Sequence, residues 1–236
     1  MELREIIAPT MKELFINELI RQILSGECKI GERLPTEREM ERKMKVSRTI
    51  INSALTELAR LGFVEIIPRH GAFVGDFIRN GNIDTLISIM NFNGGKLDRK
   101  TFDSFANFRT VNECECAYLA ALNRTEEDLV IIRDIYKKIL DATDSSVVAQ
   151  LKIEFHHAIY SATGNTIYPL VFNSFNKLAL TFNEVLFRNL GCECAPKYLN
   201  DLITAIEQKQ PNKARAIMTT LITTRISQLA RFYFEE

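Results

Sequence analysis

Arg48 and Asn52 stand four residues apart in a stretch of helical periodicity, so they share one face of that helix. Thr49 and Thr56 also lie away from its apolar stripe of Ile51, Leu55 and Leu58. Arginine suits guanine O6 and N7 or a phosphate, and asparagine suits adenine N6 and N7, so this face is equipped to read DNA. Local charge agrees: between positions 38 and 48, Arg38, Arg42, Lys43, Lys45 and Arg48 outnumber Glu39 and Glu41. Cysteines are also grouped by local spacing, at Cys114 and Cys116 and again at Cys192 and Cys194. Residues two apart on a helix diverge by about 200°, so Cys114 and Cys116 cannot share a metal ion. The second pair follows Gly191 in an expected loop, where it could. Structural thiols are the reading for all four, with a redox or thiolate-metal sensor as the alternative.

Two domains must position these groups. Before residue 76 the pattern is helix, short helix, helix and two short strands. Thr10 with Glu13 and Thr36 with Glu39 form capping boxes, and Ser47 can cap the third helix. The first helix carries Leu14, Leu19 and Ile23 as its apolar face, and Gly26 and Gly62 end the first and third helices. The β-rich runs FVEIIP and GAFVGDF flank PRHG as a hairpin. Beyond Asn82 only helical periods appear, over roughly 82–91, 100–122, 126–142, 146–162, 166–189, 196–209 and 212–233. Thr125, Asn165 and the Asn200–Asp201 pair are candidate caps, and Pro211 suits a first helical turn. The expected organisation is mainly α: a winged helix-turn-helix over 1–76, a linker with a linker helix over 77–98 and a hinge near 75–82, and an antiparallel helical bundle over 99–236.

The stretch from Ile23 to Val74, with LPTERE, VSRT and RHGAFV in order, closely resembles the winged helix-turn-helix of the GntR family of bacterial transcription regulators. That resemblance implies operator contacts from Arg38, Arg48 and Thr49, and wing residues Arg69, His70 and Gly71 at the minor groove. It also implies a homodimer on a near-palindromic operator. The family usually carries a second arginine four residues after that of VSRT. Asn52 stands there instead, which predicts the same docking with a different base preference.

The second half resembles the FCD-type helical domain of the FadR branch, through FRTVNECECAYLAA, FHHAIYSATGN and LITAIEQKQPNKARAIM. Many such domains hold a divalent metal through one aspartate and three histidines, beside a carboxylate effector. Here His156 takes the first histidine place, Lys152 that of the aspartate, and Leu199 and Leu221 those of the other two histidines. One imidazole beside a lysine makes no coordination shell, so neither metal nor cofactor is expected. The metal-free layout looks like that of the fatty-acid-responsive FadR proteins. Arg109 matches an arginine facing the effector cavity. It can clamp an acid group through two hydrogen bonds, or pair internally with Glu113. Lys152 can add a second anion contact and His156 a hydrogen bond. Phe102, Phe105, Phe108, Phe155, Phe172, Phe175, Phe182 and Phe187 could line an apolar cavity, or serve as ordinary core.

Thirty basic residues balance thirty acidic ones, which excludes a polyanion sponge but not a local basic patch. No apolar run approaches the roughly 18 residues of a membrane span, and the first residues lack the layout of an export signal. A cytoplasmic protein with reduced thiols is expected, with no membrane partner. No nucleophile elbow, P-loop, zinc motif or dinucleotide loop is present, so catalysis is not expected. The reading is a DNA-binding regulator, a repressor by family habit, answering to an anionic organic effector. Its alternatives are a ligand-free helical dimerisation domain and a cysteine-based sensor.

Overall fold

The computed structural model describes residues 8–196 and 198–234. Residues 1–7, part of the N-terminal stretch inspected for an export signal, lie outside them. The chain divides into two compact units with the boundary between Lys96 and Leu97.

The first unit is built from α1 (Met11–Leu24), α2 (Glu37–Met44), α3 (Arg48–Arg60), β1 (Val64–Ile67), β2 (Gly71–Val74), α4 (Phe77–Asn80) and α5 (Ile83–Phe92). Both capping boxes form: the Thr10 hydroxyl accepts from the Glu13 amide at 3.2 Å and the Thr36 hydroxyl from the Glu39 amide at 3.3 Å. Helix α3 differs, because Ser47 occupies its N-cap position without a side-chain hydrogen bond to the first turn. Gly62, at φ +77°, lets the chain reverse after α3 into β1. The strands are antiparallel with Val64 opposite Val74 and Ile67 opposite Gly71. Phe15, Ile51, Leu58 and Phe63 anchor the core beneath them.

Three expectations for this unit need correction. Leu14 is 48% exposed, and Phe15 takes the interior place. Phe15, Leu19 and Ile23 follow a strict four-residue step, whereas 14 to 19 is a five-residue step that swings off the stripe. A further segment joins the wing: Leu34 N–H donates to Ala72 O at 2.9 Å, Val74 N–H donates to Glu32 O at 2.8 Å, and Arg33 bridges Phe73. The segment expected to hinge is instead packed. Asn82 caps α5 and donates to Arg60 O at 3.0 Å, and the buried Thr85 hydroxyl donates to Leu61 O.

The second unit contains α6 (Arg99–Asn123), α7 (Glu126–Asp141), α8 (Ser145–Ser161), α9 (Ile167–Leu190), a 3₁₀ turn (Cys192–Cys194), α10 (Leu199–Glu207) and α11 (Pro211–Phe234). Thr125 caps α7 through a capping box with Asp128. Asn165 accepts from the Ile167 amide at 2.8 Å, one residue ahead of the boundary at Thr166. Helix α10 starts later than its periodicity predicts: Tyr198 precedes it in left-handed backbone at φ +69°, and Asn200 and Asp201 fall inside the helix. Helix α8 is central and buries Val148, Lys152, Phe155, His156 and Ile159. The core continues through Ile132, Leu202, Ile206 and Met218.

Candidate functional site

In the first unit, α2, α3 and the wing enclose a groove of about 530 Å³, whose polar lining includes Arg33, Arg38, Arg48, Asn52 and Thr56. Gly71 lies at its wing side, where Arg33 reaches along the strand. Thr49, Arg69 and His70 are exposed but lie outside the lining. The Arg48 guanidinium is held by Glu41 at 2.8 Å, with both side chains about half exposed. Such exposed pairs contribute at most about 1 kcal/mol, so Glu41 parks the arginine without locking it. Glu41 and Arg33 were not singled out from sequence. The αL cap at Lys45 folds α3 back against α2 and brings Glu41 to Arg48, and strand pairing brings Arg33 to the wing.

At the wing tip the His70 amide donates to Ile67 O at 3.0 Å, closing a turn around Pro68 and Arg69. Arg69 sits at φ +68°, a position that glycine or asparagine usually fills. Left-handed backbone costs a non-glycine residue about 1–2 kcal/mol.

The second unit holds a buried ionic cluster. Arg109 on α6 donates to Glu113 Oε1 at 2.6 Å, with the Glu113 side chain only 1% exposed. The other Glu113 oxygen lies 2.8 Å from His156 Nδ1 on α8, close but out of line for a straight hydrogen bond. Burial pushes the Glu113 carboxyl up, but Arg109 and then His156 outweigh it and hold the group well below the usual carboxylate range. Burial holds His156 down towards the neutral form, against the pull of Glu113. Lys152, one turn before His156, is buried with its ammonium 5.2 Å from the Phe155 ring centre. Burial lowers its pKa to about 7, helped by Arg225 and Arg109 and opposed by Glu113. Among the described residues no carboxylate lies within ion-pair reach of Lys152.

Arg109, Lys152 and His156 therefore do gather in one place. The internal pairing of Arg109 with Glu113 is present, but one member of this neighbourhood was read only in part and another was missed. Glu113 was read only as an alternative partner for Arg109, yet it joins Arg109 to His156. Arg225 on α11 carries no local signal, being 73 residues from Lys152 in sequence. The four positions of the metal set do not fit a dication. Lys152 brings positive charge, His156 engages Glu113, and Leu199 and Leu221 are 0% and 3% exposed in the hydrocarbon core. Among the described residues no group of three or more His, Cys, Asp or Glu is placed to hold a metal ion.

The phenylalanines pack mostly as core, and Phe187 also lines an open surface pocket. Phe105 packs on Phe175 and Phe182, Phe108 on Phe175, and Phe102 on Phe182 and Phe234, with ring centres 4.6–5.8 Å apart. Each ring fills the space beside its neighbour, while Phe155, Phe172 and Phe187 join the main core. Cys114 meets the Thr219 hydroxyl at 3.2 Å and Cys116 is fully buried, so neither thiol is open to chemistry.

A helix-turn-helix with a hairpin wing, its third helix and wing turn bearing the exposed Arg48 and Arg69, defines a winged-helix DNA-binding protein. Residues 14–74 match the bacterial regulatory proteins of the gntR family, and residues 105–224 match the FCD domain. The Glc operon transcriptional activator of Escherichia coli K12 is 31% identical over 179 residues, covering 73% of this chain and 68% of that protein. The HTH-type transcriptional regulator Mce2R of Mycobacterium tuberculosis is 28% identical over 176 residues, covering 74% and 72%. A fatty acid metabolism regulator protein of Shewanella amazonensis is 27% identical over 161 residues, covering 68% and 65%. A solved structure of Lar, described as controlling the agr system of Listeria monocytogenes, shares the fold at TM-score 0.58 and 16% identity, over 95% of this chain and 99% of that one. The chain belongs to the GntR family with an FCD domain, and it is a DNA-binding transcriptional regulator, not an enzyme. Among the described residues no helix is long and apolar enough to cross a membrane.

Proposed function

We propose that this regulator acts as a cytoplasmic homodimer on a near-palindromic operator and answers to a small organic anion held in its helical unit. The observation that carries the effector reading is the buried cluster. Arg109, Lys152 and Arg225 bring three cationic side chains to a neighbourhood with one carboxylate, Glu113. An unpaired buried charge is costly, and an incoming carboxylate or phosphate would complete the set. The names of the Glc operon activator and the fatty acid metabolism regulator fit a role in controlling carbon metabolism. A screen of small carboxylates and acyl-CoA thioesters by thermal unfolding tests this reading. A ligand should raise the midpoint by mass action, and no shift with any anion would leave the helical unit a dimerisation scaffold.

For DNA, the groove supports base or phosphate contacts from Arg38, Arg48 and Asn52, with Thr49 on the same helix and Arg69, His70 and Gly71 at the wing. Binding should weaken steeply with salt, because arginines meeting phosphates displace counterions. Arg48→Ala should cost about 1–3 kcal/mol of operator affinity. Fluorescence anisotropy at fixed salt that finds wild-type affinity in this variant would remove Arg48 from the interface.

The wing offers a test in which stability and affinity move apart. Arg69→Gly relieves the left-handed backbone, so the thermal midpoint should hold or rise by the equivalent of about 1 kcal/mol. Operator affinity should nevertheless drop severalfold, because the side chain that reaches the minor groove is gone. A variant equally stable and equally tight on DNA would show that Arg69 only forms the turn.

A further inference from the structure

Cys192 and Cys194 are the cysteine pair that the DNA and effector readings leave unused, and the structure gives their surroundings chemical character. The Cys194 thiol receives a guanidinium N–H from Arg225 at 3.4 Å, and the same guanidinium holds the Cys194 carbonyl at 2.5 Å. Such a donor gains strength as the sulfur takes on negative charge. Cys192 lines an open pocket of about 630 Å³ together with Thr143, Asp144 and Glu193, and Cys194 lies outside that lining but is itself only partly buried. Its own thiol donates to Thr143 O at 3.2 Å, and burial with Glu193 and Asp144 pushes it up, towards the protonated form. In 3₁₀ geometry residues two apart have Cα atoms about 5 Å apart, inside the 4.4–6.8 Å range a disulfide spans, and their side chains diverge by about 120°, so closure requires this short turn to unwind.

We propose that Cys192 and Cys194 form a reversible redox site for hydroperoxides, with Cys194 as the reacting thiol and Cys192 as the resolving one. Cys194–SH attacks the outer peroxide oxygen, giving Cys194–SOH and the alcohol or water. The Cys192 thiol then displaces water from that sulfenic acid and closes the Cys192–Cys194 disulfide. Two electrons pass from the two thiols to one peroxide, and a dithiol reverses the step. Closure turns both sulfurs towards each other. It therefore takes Cys192 from Thr143 O, takes Cys194 from the Gly191 O that it meets at 3.1 Å, and removes the sulfur contact of Arg225. Arg225 is also among the charges felt by Lys152, so the turn and the buried cluster share a residue. The redox site stands whether or not that cluster binds an anion.

The test uses reduced full-length protein and hydrogen peroxide. Two of the five thiols should be lost on mild oxidation, with a dithiol-reversible Cys192–Cys194 link in peptide mass spectra. Cys192→Ser should trap a sulfenic acid on Cys194 that dimedone labels. Arg225→Gln should slow the reaction by about tenfold, the scale of one charge-assisted hydrogen bond, and Arg225→Lys should retain more of the rate. Dimedone labelling centred on Cys28, thiol loss spread over all five cysteines, or an unchanged rate in Arg225→Gln with its circular dichroism intact would each overturn the proposal.

Discussion

Glu113→Ala should lower the stability of the helical unit by about 3–5 kcal/mol, the usual cost of removing one partner from a buried ion pair. The loss has three sources: Arg109 loses its acceptor and His156 the carboxylate beside it, Lys152 loses the charge that offsets its neighbours, and a cavity opens. Glu113→Gln keeps the shape and an acceptor oxygen, so it should cost roughly half as much. The difference depends on pH with a defined sign. The folded carboxyl titrates well below the unfolded value of 4.5, so its contribution is complete above pH 4.5 and disappears as pH falls towards 2. Denaturant midpoints should thus separate wild type from Glu113→Gln at pH 7 and converge near pH 2–3. Equal midpoints at pH 7 would mean that the cluster adds nothing to the fold.

Lys152→Met should do the opposite. Methionine matches the length of the lysine stem and removes an ammonium that has no carboxylate partner, so the helical unit should gain about 1–4 kcal/mol. Lys152 binds its proton less tightly folded than unfolded. The wild type therefore carries the full penalty below pH 7 and sheds it as pH rises from about 7 to 10.5, while the variant shows no such rise. The groups that set this window are Arg109 and Glu113 on α6, His156 on α8, Cys194 in the 3₁₀ turn and Arg225 on α11. The same substitution should abolish or sharply reduce the midpoint shift that anions give the wild type, with operator affinity retained. A less stable Lys152→Met protein, or one that still answers anions like wild type, would contradict the role given to Lys152.

How far the sequence reached depended on how local the cause was. Thr36 and Glu39 are three residues apart, and their box is written in the chain. The face of α3 followed from one four-residue step, and the β-hairpin from two β-rich runs around the PRHG turn. Leu14 was misplaced because Leu14 and Phe15 are both apolar, and only packing chooses between adjacent helical stripes. The strand-like pairing of 31–34 escaped notice because GERL has no alternation. Its partner, β2, supplies the hydrogen bonds. The start of α10 was masked by Tyr198, whose left-handed backbone answers to the fold and not to its own preference. In the sensing unit, Arg109, Lys152 and His156 were each readable from family positions. Their meeting with Arg225 was not, since it comes from α11 packing beside α6 and the turn before α10. The phenylalanines show the same limit: periodicity put them on inward faces but could not say whether rings or empty space lie between them.

Helix α3 opens on a cap that its own serine leaves unfilled, although the neighbouring α2 begins with a completed box. The amides of Arg48, Thr49 and Ile50 thus leave the fold as spare donors, at the positive end of the peptide dipoles and on the side that carries Arg48. Had Ser47 turned its hydroxyl inward as Thr36 does, the helix would be better formed by about 1 kcal/mol and an anion would find those donors occupied. The protein alone holds an incomplete helix, and a backbone phosphate is the group whose charge and oxygens complete it. Affinity at this end would in that sense be deferred folding, with the last hydrogen bonds of α3 left for a bound phosphate to make.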